Sequence, residues 1–230
     1  MEIRKLEWDS KFFDLRIGRV DLTEPSDVTT LAWQQNELRD HFDLLYIFDP
    51  RRYGFCARDA ELVDEKVLYS KFCTERKIYP DVMLYEQPWP SDSLYELALV
   101  SGEFSRFKLD KRFPADSYER MYRKWIENAC PNAGSNKQIF AYVPEGIAQG
   151  MITVDYKGDH AQIGLVAVDP KYQHEGVGTK IMSTLETYLF DRRVFSIEVA
   201  TQKANVDACR WYEKNGYIVQ SIIPIYHWWL

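Results

Sequence analysis

The sequence predicts a mixed α/β (α+β) protein, and three observations carry that reading. Three strand-length apolar runs follow one another closely, amphipathic helices flank them, and the first ninety residues alternate helix-like and strand-like stretches. In the N-terminal part, "DVTTLAWQQNELRDHF" (27–42) reads as a helix and "LLYIFD" (44–49) as a strand. Two prolines interrupt the periodicity in "YEQPWPSDSLYE" (85–96), so a smaller N-terminal α/β domain is expected over 1–92 and a larger domain over 93–230. "SYERMYRKWIENA" (117–129) places Tyr118, Met121, Tyr122, Trp125 and Ala129 on one helical face. "QIFAYV" (138–143), "IAQGMITVDY" (147–156) and "HAQIGLVAV" (160–168) are joined by the short turns "PEG" and "KGD", which predicts an antiparallel meander. A helix follows over about 176–190 with Val177, Ile181, Leu185 and Leu189 inward. "VFSIEVA" (194–200) is a strand, and 205–216 is a helix that ends at Gly216, a residue suited to a left-handed cap. "YIVQSIIPIYHWWL" closes the chain as strands.

Composition narrows the function classes. The 230 residues are 46% hydrophobic and 28% charged, the balance of a globular chain. The net charge of −6 argues against nonspecific binding to nucleic acid or an anionic membrane, but it leaves room for a small anionic ligand held by backbone amides. No apolar run approaches the roughly 18 residues that span a bilayer, and "MEIRKLEWDS" lacks the apolar core of a signal peptide. A cytoplasmic location is therefore expected. Four scattered cysteines (Cys56, Cys73, Cys130, Cys209) form no metal-type pair and read as reduced thiols, and the four histidines show no metal-binding spacing, so no metal site is expected.

The chemistry concentrates in "VDPKYQHEGVGTKI" (168–181), where Gly176 and Gly178 open a helix. Glycine costs about 1 kcal/mol against alanine inside a helix, so its presence needs a reason. A tight turn is one. The other is an anion: first-turn N–H groups lack intrahelical partners, and without a Cβ phosphate oxygens approach the backbone closely. The stretch does not supply GxxxxGK[ST], and it lacks the third glycine and the parallel βαβ context of a dinucleotide fingerprint.

"QHEGVG" (173–178), following "VAVDP" (166–170), resembles the Q/RxxGxG/A loop of the GNAT superfamily of N-acyltransferases. "ANVDACRWYEKNGY" (204–217) resembles that family's second signature, and together the two motifs place the resemblance over about 96–230. It implies acetyl-CoA as co-substrate, with its pyrophosphate on Gln173, His174, Glu175, Gly176, Val177, Gly178 and Thr179. It also implies that the pantetheine arm lies along a splayed strand at Leu165, Val166, Ala167 and Val168. A strand amide there would donate to the thioester oxygen. Asn205 reads equally as an N-cap and as a cofactor contact. Tyr212 matches the family's general acid for the departing thiolate, and by its pattern alone it also reads as a core tyrosine. Trp211 stands where the family would place a basic residue.

"LEWDSKFF" (6–13), "SRFKLDKRFPADSYERMYRKWIENA" (105–129), "QIGL" (162–165) and "VATQ" (199–202) resemble acetyltransferases of nucleotide-linked deoxyamino sugars. This implies Ser105, Arg106 and Phe107 as the acceptor side, with Arg106 paired to a nucleotide phosphate and Lys108, Lys111 and Arg112 extending a basic cluster. The expected partners are acetyl-CoA and a nucleotide-linked amino sugar, and a homodimer is left open. Another amine, such as a peptide N-terminus, polyamine or antibiotic, and a non-catalytic acyl-CoA-binding module are the alternative readings. His227, beside three aromatics in "IYHWWL", reads at least as well as a buried structural histidine as a base, and no cysteine lies in a motif that suggests an acyl-enzyme.

Overall fold

The computed structural model describes residues 1–131 and 136–230. Its elements in chain order are β1 (Ile3–Lys5), α1 (Glu7–Phe13), β2 (Ile17–Asp21), α2 (Pro25–Trp33), α3 (Gln35–His41), β3 (Leu44–Phe48), β4 (Ala60–Phe72), β5 (Val82–Leu84), α4 (Asp92–Ser101), α5 (Arg106–Leu109), α6 (Ser117–Ala129), β6 (Lys137–Tyr142), β7 (Gly150–Lys157), β8 (His160–Val168), α7 (Val177–Asp191), β9 (Ser196–Gln202), α8 (Val206–Lys214) and β10 (Ile218–Trp229). The described strands form one sheet in the order β1-β2-β3-β10-β4-β9-β8-β7-β6-β5, so strands from the two halves of the sequence interleave.

The meander expected over 138–168 is present as the antiparallel ladders β6–β7 and β7–β8. Val177, Ile181, Leu185 and Leu189 are buried as their spacing requires, and Gly216 takes a left-handed φ of 85° just past α8. The helix expected over 27–42 is instead two helices that meet at Gln34. Gln34 donates to the Thr30 carbonyl and accepts from the Leu38 amide, so the break leaves its backbone satisfied while Leu31 and Leu38 both reach the β3 face. Pro25 at the start of α2 and the reciprocal Glu24–Asp27 capping box set where that helix begins.

β3, "LLYIF", is buried along its whole length because helices cover both of its faces. Leu44, Tyr46 and Phe48 face the core built with α4 and α6, whereas Leu45 and Ile47 face the cluster that contains Leu31, Leu38 and Trp228. The second large core joins α7 and α8 to the opposite sheet face through Val67, Tyr69, Ile152, Ile181 and Tyr217. Among the described residues no helix is long and apolar enough to cross a membrane.

One feature of the sheet positions the site. β8 and β9 run parallel and pair only from His160–Ile163 to Ser196–Val199. Beyond Ile163, β8 stays with β7 and β9 stays with β4, as far as Gln202 opposite Lys66, so the two strands part. The departure coincides with a bulge where Thr153 alone faces Gly164 and Leu165, and bulges bend strands in this way. Gly164 is required there, since an added Cβ would lie 2.8 Å from Thr153 Oγ1.

Candidate functional site

A cavity of about 190 Å³ lies at the opening between β8 and β9. Its wall includes Gly164, Leu165 and Val166 from β8, Thr201 and Gln202 from β9, Ser105, Arg106 and Phe107, Asn205, and Tyr212 from α8. Residues drawn from four separate stretches of sequence therefore meet in one place. Ala167, Val168 and the 173–179 loop are not on this wall.

Along β8 the Leu165 N–H donates to Thr153 Oγ1 at 2.8 Å, and the Asp169 N–H donates to the Gln149 carbonyl. Both point toward β7, so strand alternation turns the N–H groups of Val166 and Val168 toward the gap. The amide of Leu165 is thus engaged, and Val166 carries the N–H best placed to meet an oxygen in the cavity. Gln173 Nε2 donates to the Val168 carbonyl at 3.1 Å and ties the start of the loop to the strand edge.

The loop turns through left-handed residues at His174 (φ 66°) and Gly176 (φ 80°), and Gly176 is the N-cap of α7. Among the described residues no side chain caps this end of the helix. Gln173, His174, Glu175 and Gly176 are exposed, as is Thr179, whereas Val177 and Gly178 are buried. The two glycines meet different demands. A Cβ on Gly176 would enter open space, so the positive φ explains that glycine. A Cβ on Gly178 would lie 3.2 Å from the Trp211 ring, so close packing under the indole explains the second. Trp211 Nε1 also donates to Thr179 Oγ1 at 3.1 Å, which braces the first turn of α7 against α8. An uncapped helix start beside an open strand edge fits the acetyl-CoA that the resemblance implies. The first-turn amides would hold its pyrophosphate and the β8 edge its amide-bearing arm.

Asn205 caps α8 by accepting from the Ala208 amide at 3.1 Å, and it lines the cavity as well. Tyr212 is 3% exposed and is held by Tyr69, Trp211 and Tyr217 with ring centroids 4.9–5.5 Å away. Burial, with smaller contributions from Cys209 and Tyr69, pushes its phenol well above the ordinary tyrosine range, so its proton stays on.

On the acceptor side, Ser105 is buried and its Oγ accepts from the Phe107 amide at 3.3 Å, so it caps α5. Phe107 stacks against Phe13 in the core and also lines the cavity. The basic cluster divides. Lys108 pairs with Glu103 at 2.6 Å, and Arg112 pairs with Asp110 and Glu61. Arg106 forms no ion pair among the described residues; its guanidinium lies 5.1 Å over Tyr46 and 4.4 Å over Phe107, and its buried Nε has no partner.

His227 is fully buried and its Nδ1 lies 2.7 Å from Asp110 Oδ2. Burial outweighs the Asp110 hydrogen bond and brings the imidazole down to about 4. Burial raises Asp110 too, but hydrogen bonds from His227, Arg112 and Trp229 prevail and hold its carboxyl well below the usual range. The histidine is lowered from about 6.5 when unfolded. Its contribution is therefore complete above about pH 6.5 and lost as the pH falls to about 4, where the unfolded chain takes up a proton that the native chain refuses. Asp110 adds a further loss below about pH 4. Denaturation across that window should show a loss from His227 of about 3 kcal/mol, and His227→Asn should flatten the slope. An unchanged slope would assign the sensitivity elsewhere.

Sequence reasoning missed Asp64, Tyr122 and Trp125 as cavity residues. The spacing of Tyr122 and Trp125 marks only a helix face. Asp64 lies in a charged stretch, "ELVDEK", with no motif to flag it.

A sheet that opens between two parallel strands, with helices on both faces, is the fold of the GCN5-related N-acetyltransferases. The crystal structure of such a protein from Sphaerobacter thermophilus aligns with 98% of this chain and 75% of its own, at a TM-score of 0.57 and 12% identity. The chain belongs to the acetyltransferase (GNAT) family, which matches residues 93–217. It is 28% identical over 130 residues to dTDP-fucosamine acetyltransferase of Escherichia coli, covering 56% of this chain and 55% of that protein. It is 23% identical over 145 residues to the spore coat polysaccharide biosynthesis protein SpsD of Bacillus subtilis, covering 62% of this chain and 49% of that one. The matches thus span about half the length of these curated relatives.

Proposed function

We propose that this chain transfers an acetyl group from acetyl-CoA to the amine of a nucleotide-linked deoxyamino sugar, by direct attack in a ternary complex. The observation that carries this reading is the convergence of Ser105–Phe107, the parted edge of β8, Asn205 and Tyr212 on one cavity. The similarity to dTDP-fucosamine acetyltransferase of Escherichia coli supports the choice of acceptor. When bound, acetyl-CoA supplies a thioester whose C–S bond gives way to a C–N bond. The Val166 amide polarises the carbonyl, Tyr212 supplies the proton for sulfur, and Arg106 holds a phosphate through its planar fork.

A panel of amines offered with acetyl-CoA, read by thiol release and product mass, tests this function. Nucleotide-linked amino sugars should be acetylated far more efficiently than the free sugars, peptide amines or polyamines. Equal use of any of these would defeat the sugar-nucleotide reading and leave the acyltransferase reading in place. Absence of amine-dependent thiol release across the whole panel would overturn both. Arg106→Ala should raise KM for the nucleotide sugar at least about tenfold, roughly 1.4 kcal/mol, and leave KM for acetyl-CoA nearly unchanged. A shift of both constants together would remove Arg106 from the acceptor site.

A further inference from the structure

The cavity wall carries one carboxylate and one cation, Asp64 and Arg106. Asp64 sits on β4 just past the point where β9 pairing ends at Lys66 opposite Gln202, so the open end of the cleft lies beside it. Its neighbour Glu65 is tied to both Arg52 and Lys203. Asp64 has no such ion pair among the described residues. Arg106 and Lys66 attract it only at longer range. A half-buried carboxylate without a contact ion pair, facing a cavity that already holds a proton donor, is a site for a ligand's own positive charge.

We infer that the Asp64 carboxylate receives the protonated amine of the acceptor and removes one of its protons before acetyl transfer. This rests on the acetyltransferase reading above. The ammonium gives one proton to Asp64 and becomes a free amine. Its nitrogen lone pair forms the new C–N bond, the C–S bond breaks, and the electron pair leaves on sulfur. Tyr212 gives sulfur its phenolic proton, and the second proton lost by the nitrogen restores the phenol. Asp64 returns its proton to solvent, so the net products are the amide, the free thiol and one proton.

Burial raises the Asp64 carboxyl to about 6, against the opposing pull of Arg106 and Lys66, which brings a base close to working pH. The titratable groups around it are Arg106 from α5, Lys66 and Glu65 from β4, Tyr122 from α6 and Tyr212 from α8. The other candidate base, His227, has an unpartnered Nε2, but it is sealed from solvent and absent from the cavity wall.

The test compares the parent with Asp64→Asn and Asp64→Glu, using whichever amine the parent acetylates. Asp64→Asn should lower kcat at least about 100-fold and leave acetyl-CoA affinity by calorimetry unchanged. In the parent, kcat/KM should rise with pH through about 6 as the carboxylate forms. That limb should vanish in the Asn variant and persist, with partial activity, in the Glu variant. Turnover within a few-fold of the parent, or an unchanged acid limb in Asp64→Asn, would overturn the assignment. If Asp64→Asn does not fold, a parent profile flat through this range overturns it equally. Loss of turnover with an acceptor other than a sugar nucleotide would uphold Asp64 and defeat the sugar reading. A parent that acetylates no amine would defeat both.

Discussion

Tyr212→Phe is expected to lower kcat by about 10²- to 10⁴-fold, the range for losing a general acid, with little change in melting temperature. The substitution keeps the ring against Tyr69, Trp211 and Tyr217 and removes only the hydroxyl. Because burial raises this phenol far above neutrality, its proton is present at every pH at which the protein would be assayed. The parent should therefore show no alkaline loss of rate from Tyr212 near neutral pH. Rapid-quench measurement of thiol and product formation separates the chemical step from product release. Turnover within a few-fold of the parent would make Tyr212 a packing residue and require another proton source.

The largest stability effect is expected outside the cavity wall, at Glu186. This α7 residue is 2% exposed, and its carboxylate lies 2.6 Å from Lys71 Nζ and 3.2 Å from Arg76 Nε. Lys71 also donates to the Asn215 carbonyl at 2.8 Å, so the pair joins β4, α7 and the end of α8. Glu186→Gln leaves a nearly buried ammonium without its countercharge, and loss of about 3–5 kcal/mol is expected in chemical denaturation. The double substitution Lys71→Met with Glu186→Leu removes both charges and should recover most of that loss, since burying two ions costs solvation that apolar side chains do not need. A double variant as unstable as the single would show that shape, rather than charge, dominates there.

Local pattern carried the reading of the C-terminal half. Its meander is joined by short turns, its helices have apolar faces of regular period, and Gly216 marks a helix end. These signals depend only on near neighbours in sequence, so they survive without tertiary information. The break at Gln34 was not legible, because a continuous helix and two short ones share the same apolar positions in that segment. β4 was also missed. Its Val67 and Tyr69 are buried, but Glu61, Asp64, Glu65, Lys66 and Lys71 interrupt the apolar run in sequence.

Within the candidate site the same division holds. The glycine loop and the Asn205 cap could be read from their places at helix starts, because each serves one helix end, whereas the tyrosine was marked only by the family resemblance. The sequence by itself determined the fold class, the family resemblance and the order of the elements from α6 to β10. Only the tertiary structure decided that Gly178 packs beneath Trp211, that Thr153 engages the Leu165 amide, and that, among the described residues, Lys108 and Arg112 are in ion pairs while Arg106 is not. It alone brought Asp64, about a hundred residues upstream of the β8 edge in sequence, to the cavity wall. The physical reason is that hydrogen bonding and charge pairing depend on which groups meet across a sheet, and strand order sets those meetings. No local pattern encodes that β4 lies between β9 and β10.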